Sequence, residues 1–396
     1  MKKATKATKP VWNRVAFLFQ GGGSLGAFQV GVYEALHNAG YELDWVSGIS
    51  IGAINASIIA GNKPENRIEK LKEFWQIIAT PPYLSWLDQY LDNTGFRKLY
   101  NHWYAQAALM WGQPGFFAPR SVNPHFIFNS TPEQISFYDT SLLRETLEHL
   151  IDFDILNAGK TRLTLSAVRL RDGQQVLFDN RHHHIHPEHI MASGALPPGF
   201  PAVKIDGDLY WDGGIVNNTP IEVILNDLPR VSTLCFMVQL FDPESRDPTT
   251  LDEVMLKQKD LTYASNYRRV IKSFGEAHDL RHAISELYDK LPDDLKNDPK
   301  IQEIRKMGCK TIMVLVRFHR HAQETDLSSK DYTFSSFTID ETIRLGYEQA
   351  TEALKESVWL QPVSKDVGVV LYDMNPHEEA EKTVFEHGHK RREHVS

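Results

Sequence analysis

The clearest pattern of apolar and polar positions lies near the start of the chain, between residues 15 and 61. Val15 to Phe19 is an unbroken apolar run, which is typical of a central parallel strand covered on both faces. Apolar residues three or four apart then predict a helix, a short strand is predicted near Trp45, and a second helix begins near Ile51. Because a strand–helix–strand unit joins parallel neighbours, the turns after both strands are predicted at one edge of the sheet. The first helix also has a face of small residues that is predicted to lie close against the sheet, namely Ala27, Gly31 and Ala35.

From residue 74 to residue 138 the pattern becomes irregular and rich in aromatic residues. Prolines at positions 81, 82, 114, 119, 124 and 132 are expected to break any long helix in this segment. Trp and Tyr suit an interface that is apolar on one side and wet on the other, so residues 74–138 are interpreted as a cap or lid whose rings meet lipid. An ordinary subdomain core is the alternative.

Two β-hairpins are predicted in the middle of the chain, each around an Asp-Gly pair that favours a tight turn. Their strands span residues 162–170 and 174–179, and residues 201–205 and 208–211. The second hairpin leads into Asp212-Gly213-Gly214. A helix from about Pro220 to Asp227 and a buried strand from Val231 to Leu240 are predicted to follow.

After residue 241 the pattern predicts mainly helices. Helical periodicity with many charges runs to about residue 306, an apolar strand is predicted at 311–318, and a last helix at 339–357. This apolar strand is predicted to join the same sheet as the strands before residue 241. Residues 241–396 are therefore predicted to be a mainly helical extension packed on the same body, and the polar tail from about residue 375 is expected to be disordered.

Composition narrows the classes of function. The 396 residues are 42% hydrophobic and 24% charged with a net charge of -8, so the chain lacks the basic excess that nucleic acid binding requires. Cys235 and Cys309 lie in or beside apolar runs without metal-ligand spacing, which indicates buried reduced thiols. The Lys-rich start lacks the apolar segment of a signal peptide, and no window has the 18 apolar residues of a membrane span. A cytoplasmic protein is expected, with at most peripheral contact to membranes.

The second glycine-bearing turn carries the strongest chemical motif. Gly48-Ile49-Ser50-Ile51-Gly52 is a Gly-x-Ser-x-Gly sequence between a strand and a helix, which is typical of a nucleophile elbow. Three glycines at positions 21–23 lie at the first turn, where their amides would bind an oxyanion that forms near Ser50. A serine that occurs in a glycine turn by chance is the alternative.

A serine nucleophile needs a general base, and Asp212 is the candidate. It lies between the aromatic pair Tyr210-Trp211 and two glycines. Apolar surroundings are therefore expected to raise the pKa of this carboxyl enough for it to accept the serine proton. An aspartate that only accepts hydrogen bonds from its own turn is the simpler alternative.

Three other classes of protein stay open from the residues alone. Gly21, Gly23 and Gly26 also fit a dinucleotide-binding fingerprint, although the acidic residue, Asp44, precedes the second strand instead of ending it. A histidine-assisted α/β-hydrolase would need a histidine after the acid, and the candidates are His278, His282 and His319. A catalytically silent lipid-binding scaffold is the third class.

The histidines between His182 and His189 form a dense cluster. Alternate residues of an extended segment face one way, so the cluster fits a transition-metal site. A solvated loop is the preferred interpretation.

Three motifs, in order along the chain, resemble those of the patatin-like phospholipase family: Gly21-Gly22-Gly23-Ser24-Leu25-Gly26, Gly48-Ile49-Ser50-Ile51-Gly52 and Asp212-Gly213-Gly214. The segment ASGALPPGFP at residues 192–201 is also similar to the family's approach to the aspartate. The resemblance covers about residues 13–240 and implies a three-layer α/β/α fold with a mainly parallel central sheet. Residues 241–396 resemble the long C-terminal extension of some bacterial members.

The resemblance also implies a mechanism. Ser50 would be the nucleophile and Asp212 the base of a Ser-Asp dyad that hydrolyses lipid acyl esters without a metal or cofactor. The oxyanion hole would consist of the amides of Gly21, Gly22 and Gly23, and the supporting glycines would be Gly26, Gly48, Gly52, Gly213 and Gly214. The expected partner is a lipid or another acyl ester, with transient contact to a membrane surface and none to nucleic acid.

Position 25 departs from the family's pattern, because members often have Arg or Lys where this chain has Leu25. Without that cation an anionic or phosphate-bearing lipid is a weaker expectation. A neutral acyl ester or a lysophospholipid is at least as good an expectation. The sequence carries no signal for oligomeric state.

Overall fold

The apolar run near the start of the chain forms the middle of an 11-stranded sheet in a computed structural model of the protein. The structure describes residues 12–80, 90–122, 124–126, 129–219, 221–244, 247–264, 267–363, 367–374, 381–386 and 389–394. Its strands are β1 (Arg14–Phe19), β2 (Trp45–Gly48), β3 (Ala118–Pro119), β4 (Tyr138–Asp139), β5 (Arg162–Arg169), β6 (Gln175–Asp179), β7 (Val203–Ile205), β8 (Asp208–Asp212), β9 (Thr233–Gln239), β10 (Met313–His319), β11 (Val369–Met374), β12 (Glu381–Glu386) and β13 (His389–His394).

The strand order explains why the sheet is mainly parallel. It runs β13-β12-β11-β10-β9-β1-β2-β5-β8-β7, with β6 also paired to β5, and β3 and β4 form a separate small sheet. The central strands from β11 to β5 run parallel to one another. The outer strands pair antiparallel at both sides.

Helices cover both faces of this sheet. They are α1 (Ala27–Asn38), α2 (Ile51–Ala60), α3 (Arg67–Ile77), α4 (Thr94–Trp111), α5 (Ser141–Leu150), α6 (Phe153–Asn157), α7 (Pro187–Ser193), α8 (Glu222–Leu225), α9 (Leu251–Tyr263), α10 (Tyr267–Lys290), α11 (Asp293–Lys296), α12 (Pro299–Met307) and α13 (Ser336–Glu356). None of the helices in the described part of the chain is long and apolar enough to cross a membrane.

The two faces of β1 pack against different helices, which gives the three layers. Phe17 and Phe19 belong to one core cluster together with residues of α1, α2 and α13. Ala16 and Leu18 belong to a second cluster with residues of α8 and α10. Because strand side chains alternate between faces, an unbroken apolar run is what a doubly covered strand requires. The predicted three-layer α/β/α fold with a helical C-terminal region is thus confirmed.

Gly31, in the small-residue face of α1, meets α13 and not the sheet as predicted. A Cβ atom on Gly31 would lie 1.9 Å from the carbonyl oxygen of Ile343, and one on Gly346 would lie 2.2 Å from that of Phe28. The two helices therefore cross backbone to backbone at their glycines. This contact ties the C-terminal extension directly to the first strand–helix unit.

The aromatic segment contains a long helix despite its prolines. α4 spans 18 residues, and Asn93 caps it by accepting a 3.0 Å hydrogen bond from the amide of Phe96. The prediction that prolines break any long helix here is wrong, because α4 fits between the prolines at 82 and 114 and contains none. Residues 81–89, 123, 127 and 128 of the predicted cap, Pro220 of a predicted helix, and the Lys-rich residues 1–11 lie outside the described residues.

Both predicted hairpins are present. β5 and β6 pair antiparallel across Asp172-Gly173, and β7 and β8 pair across Asp206-Gly207. β8 also pairs with β5, with Asp212 opposite Ala167. The second hairpin therefore carries Asp212 onto the main sheet.

The C-terminal extension continues the same sheet. β10 pairs with β9, and β11 pairs with β10. Residues 381–386 and 389–394 then form β12 and β13 in antiparallel pairs, so the expectation of a disordered tail is wrong for these two segments. The physical reason is that the unpaired edge of β11 offers backbone hydrogen bonds, which do not require apolar side chains in the added strands.

Candidate active site

The two glycine-bearing turns meet at the carboxyl edge of β1 and β2. These strands are parallel, with Phe19 opposite Gly48. Ser50 follows β2 and is the N-cap of α2, with φ of 55° and ψ of -126°. A positive φ is strained for a residue with a side chain and occurs where the surroundings hold it in place. The backbone at Ser50 thus has the strained strand-to-helix conformation that is typical of a nucleophile elbow.

The glycines on both sides of Ser50 permit close backbone contacts. A Cβ atom on Gly48 would lie 2.2 Å from the carbonyl oxygen of Gly52, and one on Gly52 would lie 2.5 Å from that of Phe19. A third glycine, Gly26, lies against the side chain of Ile51, 2.7 Å from its Cγ1 atom by the same measure. These positions do not accept a side chain without movement of the turn.

The strained turn is held from the other side by Ser193. The amide of Ser50 donates to the carbonyl oxygen of Ser193 at 3.0 Å and lies 3.3 Å from its hydroxyl. The Ser193 hydroxyl donates to the carbonyl oxygen of Ser166 on β5 at 2.7 Å. Ser193 therefore connects the turn to the strand that pairs with β8.

Asp212 lies at the end of β8 beside Ser50. Asp212 is 2% exposed, and its carboxylate accepts a 2.7 Å hydrogen bond from the amide of Gly214. Burial raises the pKa of this carboxyl to about 6, although the nearby Ser50 side chain and the Gly214 amide lower it in part. An aspartate with that pKa is ionised at neutral pH and still accepts a proton readily.

Both glycines after Asp212 are constrained by their neighbours. A Cβ atom on Gly213 would lie 2.5 Å from the carbonyl oxygen of Ser166, and one on Gly214 would lie 3.1 Å from Oδ1 of Asp212. The turn is thus packed tightly around the carboxylate. The alternative from the sequence is an aspartate that only accepts hydrogen bonds from its own turn. Asp212 does accept such a hydrogen bond, from Gly214, but it also lies beside Ser50.

The glycine loop after β1 is arranged by Asn218. The amide of Gly21 donates to Oδ1 of Asn218 at 3.2 Å, and Nδ2 of Asn218 donates to the carbonyl oxygen of Gly21 at 3.1 Å. The Gly21 amide therefore points to Asn218, which differs from its predicted place among the oxyanion donors. Gly23 begins a 3-10 turn, Gly23–Gly26, whose first amides have no acceptor within the turn.

Leu25 does not face the cavity beside Ser50. Its side chain is 3% exposed and belongs to the main apolar core. The position at which the chain departs from the motif is therefore a core position in this protein.

A cavity of about 460 Å³ opens above Ser50 and Asp212. Its walls are mostly apolar and come from three parts of the chain: Leu109, Phe116, Phe117, Phe137 and Tyr138 of the aromatic segment; Leu196 to Phe200; and Phe241, Tyr263, Asp331, Tyr332 and Phe334 near or in the extension. No Arg, Lys or His is among the described residues that line it. An apolar cavity with a few polar groups at its base suits an acyl chain.

The candidate histidines have other partners. Nε2 of His278 lies 2.7 Å from the carbonyl oxygen of Thr311, His282 lies 3.6 Å from Glu286, and His319 lies 3.7 Å from Asp373. None of the three lines the cavity. The structure therefore gives no support to a histidine-assisted α/β-hydrolase.

The remaining alternatives from the sequence also find structural explanations. The Asp44 carboxylate accepts a 2.7 Å hydrogen bond from the amide of Val15, so it serves the sheet and not a ribose. In the histidine cluster, the amide of His186 donates to Nδ1 of His189 at 3.0 Å in a capping box at the start of α7. Cys235 and Cys309 are free and buried.

Sequence reasoning missed several residues of this site. Asn218 stands four residues after Gly214, and the asparagine pair Asn217-Asn218 just after the Asp-Gly-Gly motif is the signal that could have found it. Tyr263, Asp331, Tyr332 and Phe334 lie more than 200 residues from the glycine loop, as their numbers show, and no local pattern marks them. The fold alone brings them to the cavity.

Comparisons with known proteins agree with this architecture. Residues 17–225 match the family described as "Patatin-like phospholipase", and residues 261–366 match one described as "Patatin phospholipase". "Patatin-like phospholipase domain-containing protein 6" of Homo sapiens is 26% identical over 212 residues, covering 53% of this chain and 12% of that protein. "Patatin-like phospholipase domain-containing protein ZK370.4" of Caenorhabditis elegans is 25% identical over 322 residues, covering 75% of this chain and 20% of that protein. The chain thus spans at most a fifth of the length of these relatives.

Two further similarities complete the comparison. "Neuropathy target esterase sws" of Drosophila melanogaster is 25% identical over 214 residues, covering 54% of this chain and 12% of that protein. The crystal structure of VipD from Legionella pneumophila aligns with a TM-score of 0.37 at 15% identity, over 87% of this chain and 67% of that one. The family match over residues 17–225 covers more than half of the sequence. The chain belongs to the patatin-like phospholipase family.

Proposed function

We propose that the protein is a serine acyl hydrolase that cleaves carboxylic esters of lipids through an acyl-serine intermediate. The observation that carries the proposal is that Ser50 and the buried Asp212 lie together at the base of an apolar cavity. Family membership supports the same class of reaction, because relatives are described as phospholipases and one as an esterase.

In the first step Asp212 accepts the hydroxyl proton of Ser50 while Oγ of Ser50 attacks the ester carbonyl. The carbonyl oxygen gains negative charge as the tetrahedral intermediate forms. Amides of Gly22 and Gly23 are the proposed donors to this oxyanion, since both residues line the cavity and the Gly21 amide is engaged by Asn218. The amino end of α2 adds a favourable field at Ser50.

The first tetrahedral intermediate collapses when the alcohol leaves with the proton that Asp212 had accepted, and an ester remains between the acyl group and Oγ of Ser50. In the second step Asp212 takes a proton from water while the water oxygen attacks the acyl carbonyl. Collapse of this second intermediate releases the fatty acid and returns the proton from Asp212 to Oγ of Ser50. The overall reaction consumes only the ester and one molecule of water.

A neutral ester is the proposed substrate. The described lining residues include Asp212 and Asp331 but no cationic side chain, and the Asp331 carboxylate is paired with Lys259 at 2.5 Å. A phosphate near the Asp212 carboxylate would be repelled, because the lining has no Arg or Lys to bind it. We therefore place neutral acyl esters and lysophospholipids with a distant headgroup ahead of anionic lipids.

Peripheral contact with a lipid surface is part of the proposal. α4 exposes several large apolar side chains, and its Leu109 is 37% exposed while also lining the cavity. Phe137 also lines the cavity and is 38% exposed. The exposed apolar side chains of α4, which we call the α4 face, are Leu99, Trp103, Leu109, Met110 and Trp111. Its continuity with the cavity gives a lipid a direct path to Ser50.

The first test compares the wild-type chain with Ser50→Ala on medium-chain p-nitrophenyl esters and by labelling with a fluorophosphonate. Hydrolysis and labelling are expected in the wild type and absent in the variant. Ser47→Ala is the matched control, since Ser47 is a buried serine on β2 that does not line the cavity. A wild-type chain that shows neither hydrolysis nor labelling would favour a catalytically silent lipid-binding scaffold.

A further inference from the structure

Three side chains that commonly bind metals lie together at the carboxyl ends of β9 and β10. Asp242 lies just beyond the end of β9, His319 is the last residue of β10, and His321 follows closely. The two strands are parallel neighbours, with His319 opposite Gln239. Residues beyond the two strand ends therefore meet at one edge of the sheet.

The geometry of the three side chains suits one ion. One possible ligand atom from each lies within 4.8 Å of the other two. The imidazole centroids of His319 and His321 are 3.8 Å apart, and Nδ1 of His321 is 3.6 Å from Oδ2 of Asp242. Zinc bonds of about 2.0–2.1 Å place tetrahedral ligand atoms roughly 3.3 Å apart, so modest side-chain rotations bring this set to coordination distance.

Buried ring nitrogens at the cluster are unpartnered among the described residues. His319 is 8% exposed and its Nδ1 has no hydrogen-bond partner there. The same is true of the buried Nε2 of His321. Because an unpaired buried polar atom is costly, native proteins keep few of them, and each calls for an explanation such as a bound ion.

The charged residues around the cluster do not oppose the binding of a cation. Nδ1 of His319 lies 3.7 Å from Oδ1 of Asp373. Arg317 binds both oxygens of Asp373 at 2.7 and 2.9 Å, and Arg268 lies 3.5 Å from the same carboxylate. Arg268 also lies 3.5 Å from Glu244. Since Asp373 and Glu244 together offset the two arginines, the negative charge of Asp242 remains available to an ion beside the two rings.

We propose that Asp242, His319 and His321 bind one divalent transition-metal ion of the zinc class. Two imidazoles and one carboxylate form a common ligand set for such ions and leave a fourth position open. The ion would join the chain beyond β9 to the end of β10. Phe241, the neighbour of Asp242, lines the cavity, so the ion would hold that part of the wall in place. The inference does not depend on the proposed hydrolase activity.

The test uses the full chain without a histidine tag, stripped of metal with a chelator and then dialysed against zinc chloride. Mass spectrometry of the eluted metal is expected to count one zinc per chain, and zinc is expected to raise Tm by at least about 2 °C. His319→Gln and His321→Gln are each expected to weaken zinc binding by more than about 100-fold. The matched controls are His182→Gln and His184→Gln, which remove exposed histidines from the loop before α7.

A second readout separates metal loss from misfolding. The side chain of His321 is 24% exposed, so circular dichroism of His321→Gln is expected to match the wild type. Cobalt(II) is expected to give visible d–d bands with the wild-type chain and none with this variant. A wild-type chain that retains no zinc overturns the proposal. Equal retention by wild type, His319→Gln and His321→Gln also overturns it, because the ion then binds elsewhere.

Discussion

At the scale of single residues, the proposed chemistry rests on the environment of Asp212. Its carboxylate is buried, lies beside Ser50, and has a pKa raised to about 6 mainly by burial. These properties distinguish the proposed base from an ordinary turn aspartate, which would keep a pKa near 4. Both activity and stability are therefore expected to depend on this carboxyl.

Asp212→Asn is expected to lower kcat by at least about 1,000-fold, because an amide cannot accept the Ser50 proton. The measurement is steady-state ester hydrolysis by protein whose fold is checked by circular dichroism. His278→Gln and His282→Gln serve as controls and should retain turnover per folded molecule. Loss of activity in a histidine variant with survival of Asp212→Asn would instead indicate a histidine base.

The pH profile of the wild type should follow the same group. Below about pH 6, kcat/KM is expected to fall by about tenfold per pH unit, because the protonated carboxyl cannot act as a base. Above that pH the profile should be flat until another group titrates. A profile that is flat down to pH 4 would contradict the assignment of Asp212 as the base.

The contribution of Asp212 to stability should fall as the pH rises, whereas activity should rise with pH. Burial raises the pKa of Asp212 from 3.8 to about 6, so its contribution to stability is fully present below the unfolded pKa and is lost as the pH rises through 6. The wild type should therefore lose about 2–3 kcal/mol of its free energy of unfolding, relative to Asp212→Asn, when the pH rises from 4 to 8. Urea titrations of both proteins measure this difference, and a pH-independent offset would contradict the raised pKa.

At the scale of elements, the C-terminal extension holds the glycine loop. A Cβ atom on Gly23, whose φ is 55°, would lie 2.2 Å from the carbonyl oxygen of Asp331. The Ser24 hydroxyl donates to the carbonyl oxygen of Lys330 at 2.9 Å. Lys330 in turn pairs with the fully buried Asp260 at 2.7 Å. The turn at 330–331 is thus anchored by a buried ion pair and packs on the proposed oxyanion donors.

Lys330→Met is expected to destabilise the protein by about 3–5 kcal/mol, because it leaves Asp260 buried without its partner. Loss of this anchor should also lower kcat more than it changes KM, since the 330–331 turn positions the glycine loop. Chemical unfolding and steady-state kinetics are the measurements.

The double variant Lys330→Met with Asp260→Asn is the matched control for this ion pair. It should recover much of the stability, because no unpaired charge remains buried. Equal destabilisation in the single and double variants would show that the packing of Lys330 matters more than its charge.

At the scale of the whole molecule, the cavity and the α4 face share one residue, Leu109. The α4 face exposes Trp103 and Trp111 at 46% and 64%, while Leu109 joins it to the cavity. Tryptophan suits the boundary between lipid and water. The molecule is therefore expected to work at a lipid surface with the α4 face toward it.

Replacement of Trp103 and Trp111 by Ser should weaken binding to phosphatidylcholine vesicles by about tenfold or more and slow hydrolysis of vesicle-bound esters. Hydrolysis of a soluble short-chain ester should stay unchanged. Vesicle co-sedimentation measures the binding. Leu280→Ser with Leu287→Ser is the matched control, because both leucines are exposed apolar residues on α10.

The sequence by itself determined the central strand–helix–strand unit, both hairpins, and the positions of Ser50 and Asp212. Local patterns suffice there: apolar runs mark covered strands, Asp-Gly pairs mark tight turns, and a serine between glycines marks a strained elbow. The prediction that no long helix forms in residues 74–138 failed because prolines can flank a helix as well as interrupt one.

Only the tertiary structure decided which distant groups meet. The pKa of Asp212 depends on its burial in the folded protein, and Asn218 accepts the hydrogen bond of the Gly21 amide that local sequence assigns to the oxyanion. Contacts of Asp331 with Gly23, and of α13 with Gly31, join segments about 300 residues apart, as their numbers show. Side-chain proximity across a sheet edge leaves no periodic trace in sequence, because it follows from strand order and helix packing and not from neighbouring residues.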